Sequence, residues 1–335
     1  MAPSSRATPT RLPKRLRGAT SSQPMAERPR SGQPIGAGRG RDYDMAAGRD
    51  VSGGLEPVAV TLWPPGESPA PFQYSPDCVP GADGAIDPTE VTFQGCPCRA
   101  RSCSARSCPC VWLGRRGRVL RCAAPLLECN AMCRCGDGCR NRVVQRGLRV
   151  RLQVFKTAKK GWGVRALEPI AEGSFVCEYA GEVLGFAEAR RRSRAQTARD
   201  PNYIIAVREH LHDGRLMETF VDPTYVGNVG RFLNHSCEPN LVMVPVRVDS
   251  MVPRLALFAA ADISAGEELC YDYSGRFRNL PPTEGEQKAA EEGNVLRKPC
   301  FCGSQTCAAF LPWDGSLFPA ADTQLQSSQW LPGHT

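Results

Sequence analysis

The 335-residue chain is 41% apolar and 23% charged, the balance of a globular protein rather than a disordered or fibrous one. Its seventeen cysteines are the outlier, but the first 25 residues lack the apolar centre of a secretory signal and an odd count forbids complete internal pairing, which argues against a secreted disulfide scaffold. No apolar run is long enough for a bilayer, and the net charge of +8 sits mostly in residues 1–50, where ten basic side chains oppose four acidic ones.

The expectation is therefore an intracellular protein, without a membrane partner, whose cysteines bind metal. Residues 1–50 are rich in Ser, Pro, Gly and Arg and read as a disordered basic tail. Pro13-Lys14-Arg15-Leu16-Arg17 within it fits a nuclear import signal and equally a solvated tail. Met25 and Met45 are alternative start positions. Residues 51–95 interleave prolines with Trp63, Phe72, Tyr74, Ile86 and Phe93, the pattern of an extended leader pinned on a domain surface. Residues 96–139 form a cysteine block with too little apolar content for a core of their own.

Residues 140–275 change character. Short β-rich runs recur at 148–155, 175–179, 203–207, 219–221, 241–248 and 255–259, divided by Gly, Pro and Asp breaks. One Arg- and Ala-rich helix is predicted at about 186–198. That pattern is a mainly β domain of small sheets with few helices. Residues 276–298 read as a charged connector, 299–315 as a second cysteine segment and 316–335 as a loose tail.

The first cysteine block contains Cys96, Cys98, Cys103, Cys108 and Cys110, then Cys129, Cys133, Cys135 and Cys139. Zinc takes four ligands, so nine thiolates divide badly among independent sites. Three zinc ions fit if six thiolates are terminal and three bridge, and the cluster then replaces a hydrophobic core. Two separate zinc sites, or reduced cysteines without metal, are the simpler readings. Near the C-terminus stand Cys300, Cys302 and Cys307, one ligand short of a tetrahedron. Cys237 is the candidate fourth ligand, and it would fold the tail over the domain. Cys78, Cys122, Cys177 and Cys270 remain as buried or free thiols.

Further motifs complete an ordered series. After the nine-cysteine block come Gly161-Trp162-Gly163, Glu178-Tyr179-Ala180-Gly181-Glu182 and Gly230-Arg231-Phe232-Leu233-Asn234-His235-Ser236-Cys237. Tyr271-Asp272-Tyr273 and the final cysteines follow. Alone, the glycine pair fits a strand-end turn and His235 a core histidine. Together, over roughly 90–312, they resemble the SET-domain protein-lysine methyltransferases with pre-SET and post-SET zinc segments. The leader, 155–164 and 176–186 are similar to one branch of that family, whose methyltransferase part is fused to a transposase. Since the sequence ends at Thr335, no transposase part is expected.

The resemblance implies a SET fold of small β-sheets flanked by both zinc segments, with all four zinc ions structural. It implies methyl transfer from S-adenosylmethionine to a lysine ε-amine. Lys160, Gly161, Trp162, Tyr203, Arg231, Asn234 and His235 stand at the family's cofactor positions. Phe310, after Ala308-Ala309 where relatives have Arg-Gly, is expected to cover the cofactor. Tyr273 is expected to orient the amine, with Tyr179 and Tyr271 lining the lysine channel. A tyrosine at 271 implies mono- and dimethyl products. The implied partner is the histone H3 tail on a nucleosome, in the nucleus on chromosomes. The branch implies lysine 36, with lysine 4 second; the broader pre-SET class implies lysine 9. A non-histone lysine substrate and a catalytically weak zinc scaffold on chromatin are the other readings. Arg190, Arg191, Arg192 and Arg194 could touch DNA phosphates, though a solvated helix face explains them as well.

Overall fold

A computed structural model describes residues 48–98, 101–104, 108, 126–196, 200–210, 214–274, 298–312 and 317. The basic tail up to residue 47, Cys110, Cys122, the connector up to residue 297 and the final eighteen residues lie outside that description. The chain divides into Met1–Met45 and Ala46–Thr335, and every described residue belongs to the second unit.

The described elements are strands and one α-helix, with two short 3₁₀ turns. In chain order they begin with β1 (Val60–Trp63), β2 (Gln73–Tyr74), β3 (Val79–Pro80) and β4 (Leu126–Leu127). Next come β5 (Leu152–Lys156), β6 (Trp162–Ala166), β7 (Phe175–Glu178), β8 (Gly181–Leu184) and α1 (Phe186–Ala195). The series ends with β9 (Ile205–His210), β10 (Leu216–Gly227), β11 (Asn234–His235), β12 (Leu241–Arg247), β13 (Arg254–Ala259) and β14 (Glu268–Tyr271). They form three small sheets, ordered β1-β5-β6-β14-β11, β2-β10-β8-β3 with β9 also on β10, and β4-β12-β13-β7. No described helix is long and apolar enough to cross a membrane.

Burial explains the central strands. β13, the middle strand between β12 and β7, is apolar on both faces because Leu255, Leu257 and Ala259 pack into the main core while Ala256 and Phe258 pack into a second one. The leader also contributes to the sheets. β1 pairs in parallel with β5, and Val51, Val58, Phe72, Cys78 and Ile86 pack against the main core. The predicted helix is present but ends at Ala195. Glu188 stands in its first turn and Arg192 and Arg194 in its last, each complementing the helix dipole.

Several strands, β1–β4, β8 and β11 among them, match no run in the sequence pattern, and three more show why the pattern falls short. β6 begins at Trp162, inside a motif that also fits a turn: Gly161, with φ +71°, makes the turn, and the strand starts immediately after it. Gly163 is then needed within the strand, since a Cβ there would lie 3.0 Å from Asn234 Nδ2 and from Glu268 Oε1. β14 lacks a clear alternating run because all but its first residue are buried. β10 extends through Asp222 and Pro223 to Gly227, its register to β8 shifting between Asp222 and Gly227, so the sequence pattern at 219–221 marks only its buried part.

Of the helix arginines, Arg191 and Arg194 are exposed as a solvated face would be, and Arg192 is not. Arg192 is turned inward, bonding Glu182 at 2.7 Å, Glu188 at 2.8 Å and Asp222 at 2.9 Å. Arg191 pairs with Glu188 on the same helix. Arg192 thus docks α1 onto β8 and β10, because three carboxylates converge where the helix crosses them.

Candidate active site and metal centres

Register assembles the site. β11 pairs in parallel with β14, with Asn234 opposite Cys270 and His235 opposite Tyr271. Two motifs distant in sequence thereby become neighbours. Lys160 joins them through Glu268, whose carboxylate accepts from Lys160 Nζ at 2.7 Å and from Asn234 Nδ2 at 2.9 Å. Asn234 also donates to the Trp162 carbonyl at 3.1 Å. Glu268 was not singled out by sequence reasoning; its only signal was an acid just ahead of the Tyr271-Asp272-Tyr273 motif.

These residues open onto a cleft of about 480 Å³ lined by Lys159, Lys160, Asn234, His235, Tyr273, Lys298, Pro299, Phe301 and Leu311. Four of the predicted residues, Lys160, Asn234, His235 and Tyr273, therefore converge on one cavity. Gly161 and Trp162 follow Lys160 directly, and Lys156 Nζ sits 5.3 Å from the Trp162 ring centre. Tyr203 and Arg231 lie outside the lining, stacked on each other with the guanidinium 4.7 Å from the ring centre. Phe310 is exposed and pairs with Pro299, while Phe301 and Leu311 line the cleft. Phe310 thus lies beside the cleft lining rather than in it, and the Phe301 ring in the lining is approached by Lys159 to 5.9 Å. Ala309 has φ +64°, so the chain turns sharply just before Phe310.

The three tyrosines form one cluster. The Tyr271 ring centre is 5.0 Å from that of Tyr273 and 6.0 Å from that of Tyr179. Tyr273 donates its hydroxyl proton to the Leu233 carbonyl at 2.8 Å, and Tyr179 donates to the Tyr203 carbonyl at 2.5 Å. With their protons committed, both oxygens face the remaining space as acceptors. Burial holds all three phenols above the ordinary tyrosine range, so none is a ready base.

His235 is buried, and burial together with the Lys160 charge lowers its pKa to about 4. It is neutral at pH 7. Its Nδ1 accepts from the Tyr273 amide at 3.3 Å, which assigns the ring proton to Nε2, 3.4 Å from Cys237 Sγ.

Cys237 Sγ lies with those of Cys300, Cys302 and Cys307 inside a 4.8 Å circle of mutual separation, the tetrad expected from the sequence. Ala308 N donates to Cys237 Sγ at 3.4 Å, and Thr306 bonds Glu238 at 2.7 Å, so the tail docks beside the cleft. Burial raises the Cys302 pKa, but the Ser304 hydroxyl and backbone N–H donors outweigh it and bring it down to about 6. Such a sulfur is a thiolate at neutral pH, the form zinc takes.

The first block forms overlapping tetrads: Cys96, Cys129, Cys133 and Cys135; Cys96, Cys103, Cys108 and Cys129; and Cys103, Cys129, Cys135 and Cys139. Cys98 is packed in the same cluster. Zn–S bonds of about 2.3 Å put tetrahedral sulfurs about 3.8 Å apart. The sulfurs of Cys96 and Cys103 are 3.7 Å apart, those of Cys103 and Cys129 3.7 Å, and those of Cys129 and Cys139 3.9 Å. The donor set and spacing therefore fit zinc, and Cys96, Cys103 and Cys135, each shared by two tetrads, fit bridging thiolates. Gly95 permits the chain crossing: a Cβ there would lie 2.0 Å from the Met132 carbonyl. Of the remaining cysteines, Cys177 and Cys270 are buried, and Cys78 lies 3.7 Å from Glu178 Oε1.

Comparison with known proteins agrees with this geometry. The Pre-SET motif model matches residues 53–142 and the SET domain model residues 161–274. The histone-lysine N-methyltransferase SETMAR of Rattus norvegicus is 57% identical over 282 residues, covering 81% of this chain and 89% of that protein. SETMAR of Homo sapiens is 58% identical over 279 residues, where the match covers 80% of this chain and 40% of the relative. The crystal structure of the human SETMAR methyltransferase domain superposes with a TM-score of 0.69 at 55% identity, covering 79% of this chain and 98% of that one. KRYPTONITE in complex with mCHH DNA, H3(1–15) peptide and SAH matches with a TM-score of 0.59 at 32% identity, covering 78% of this chain and 53% of that one. By these matches, together with its cysteine tetrads and clustered tyrosines, the chain belongs to the SET-domain family of histone-lysine N-methyltransferases.

Proposed function

We propose that the chain transfers methyl groups from S-adenosylmethionine to a lysine of histone H3, acting on chromatin in the nucleus. The observation that carries the reading is the tyrosine cluster against the cleft, with Tyr273 common to both. Bound S-adenosylmethionine supplies a methyl carbon on a cationic sulfur. Lys160, Asn234 and His235 would hold it in the cleft, Gly161 and Trp162 would shape one wall, and Phe301 would cover it. Tyr203 and Arg231 support the channel from behind.

The substrate amine must arrive without its extra proton, because an ammonium has no lone pair. Apolar surroundings lower an amine's pKa, so the proton leaves to water before the amine enters. Tyr273 and Tyr179 oxygens, both acceptors, take the amine N–H groups and turn its lone pair toward the methyl carbon. So aimed, the lone pair would take the methyl group that the bound cofactor supplies, and the resulting methylammonium would lose its proton to water on leaving the channel. Tyr271, hydrogen-bonded to Tyr179, crowds the amine and limits the products to mono- and dimethyl-lysine.

Nine thiolates, Cys110 among them, would hold three zinc ions, and the Cys237 tetrad a fourth; all four are structural. Likeness to SETMAR supports lysine 36, then lysine 4. The KRYPTONITE complex with H3(1–15) favours instead a target within the first fifteen residues, such as lysine 4 or lysine 9. Mass spectrometry of recombinant nucleosomes methylated by the chain decides among them. Methyl groups on lysine 36 support the first choice, and methylation confined to residues 1–15 replaces it. No methylation on any histone would turn the assignment toward a non-histone substrate or a scaffold.

A further inference from the structure

Leader residues 73–80 pair along β10 and β8, beside the segment that carries Arg231. Gln73 pairs with Val226 and Tyr74 with Gly227, Ser75 N donates to the Gly227 carbonyl at 2.8 Å, and Asn228 reaches the Pro76 carbonyl at 3.4 Å. This fixes Phe72 over Arg231. The Arg231 guanidinium lies 4.2 Å from the Phe72 ring centre on one side and 4.7 Å from that of Tyr203 on another. Arg231 is 6% exposed, and its side chain donates to the Pro223 and Thr224 carbonyls at 3.0 and 3.4 Å. Asp222 adds an opposing charge to its surroundings, but no carboxylate is hydrogen-bonded to it among the described residues, and the Phe72, Tyr203 and Phe232 rings face the guanidinium, so aromatic faces carry part of the compensation for its buried charge. Tyr203, held by that stack, presents the carbonyl that accepts the Tyr179 hydroxyl at 2.5 Å.

We propose that Phe72 is a positioning residue for methyl transfer: through Arg231 and Tyr203 it fixes the direction of the Tyr179 hydroxyl. The proposal rests on Tyr179 acting as a channel residue. A ring face is required, because an aliphatic side chain of similar volume has no quadrupole for the guanidinium. Without it Arg231 shifts toward water, Tyr203 loses its stacking partner, and the carbonyl no longer holds the Tyr179 proton. Had Phe72 been only an apolar anchor for the leader, leucine would serve.

The test uses the full chain with Phe72→Leu, Phe72→Tyr and Tyr179→Phe, each assayed on H3 substrate. Phe72→Leu should lower kcat about fivefold, the equivalent of one cation–π contact, with KM for S-adenosylmethionine within about twofold of wild type. Zinc content should be unchanged, and Phe72→Tyr, which keeps the face, should restore the rate. Wild-type turnover in Phe72→Leu beside a slowed Tyr179→Phe would overturn the proposal and leave the channel intact. Equal losses in Phe72→Leu and Phe72→Tyr would overturn it too. Full activity in Tyr179→Phe would remove the channel reading, and this proposal with it.

Discussion

His235 Nε2 points at Cys237 Sγ across 3.4 Å, linking a residue of the cleft to a thiolate of the C-terminal tetrad. The ring that lines the cleft is thus oriented by a member of the candidate zinc tetrad. The Cys237→Ser variant should lose one zinc ion per chain by elemental analysis and bind S-adenosylmethionine at least about tenfold more weakly by calorimetry. The pre-SET ions should remain. Unchanged cofactor affinity in a chain shown to lack that zinc would separate the two sites.

Gly95 sets the geometry of the first cluster. Its added Cβ would lie 2.0 Å from Met132 O and 2.4 Å from Cys133 N, both backbone atoms that cannot move aside cheaply. The Gly95→Ala protein should lose pre-SET zinc, and protease should cleave the region between residues 96 and 139 first. Since metal binding is folding energy there, a full zinc complement in this variant would mean the crossing is not needed.

Much of this was legible in the sequence, and the reason is chemical. Thiolate spacing is dictated by zinc geometry, so the sequence separates two cysteine sets; the four of the C-terminal set and eight of the nine in the first block are found clustered, Cys110 lying outside the described residues. Tyr179, Tyr271 and Tyr273 were identified by motif and are found together. What escaped depended on long-range register or packing. Glu268 matters because β14 lies between β6 and β11, which no local pattern reveals. Arg192 looked solvated because Glu182 and Asp222 reach it only after β8 and β10 pair. Phe301 lines the cleft although no motif marked it, and Phe310 follows the left-handed Ala309 just outside the lining.

In the proposed mechanism Tyr271 limits how many methyl groups fit. Its hydroxyl is engaged with Tyr179 and shares the space beside Tyr273. Removing the hydroxyl in Tyr271→Phe should shift the products toward trimethyl-lysine while leaving the first methylation within about threefold of wild type. Mass spectrometry of the methylated peptide reads this directly. Efficient trimethylation by the wild-type chain would contradict the assignment.

Glu178 provides a pH dependence of stability. Burial outweighs Arg254, 3.1 Å away, and raises its carboxyl to about 7 from 4.5. The folded state therefore binds this proton more tightly than the unfolded state does. Its contribution is fully present below pH 4.5 and is lost as pH rises through about 7, by up to about 3 kcal/mol. The difference in denaturation midpoint between Glu178→Gln and wild type should grow in favour of the variant between pH 5 and about 8. Zinc release at low pH affects both proteins and cancels. Parallel curves would show that Glu178 is ionised throughout.

The most direct measurement is turnover and cofactor affinity of Tyr273→Phe beside wild type, on recombinant nucleosomes. Tyr273 lines the cleft and adjoins Tyr271, and its hydroxyl is aimed by the Leu233 carbonyl. The variant should fold, keep its zinc and bind S-adenosylmethionine within about threefold of wild type, yet transfer methyl at least about a hundredfold more slowly. Full methyl transfer by Tyr273→Phe would contradict the placement of the reaction at this cluster.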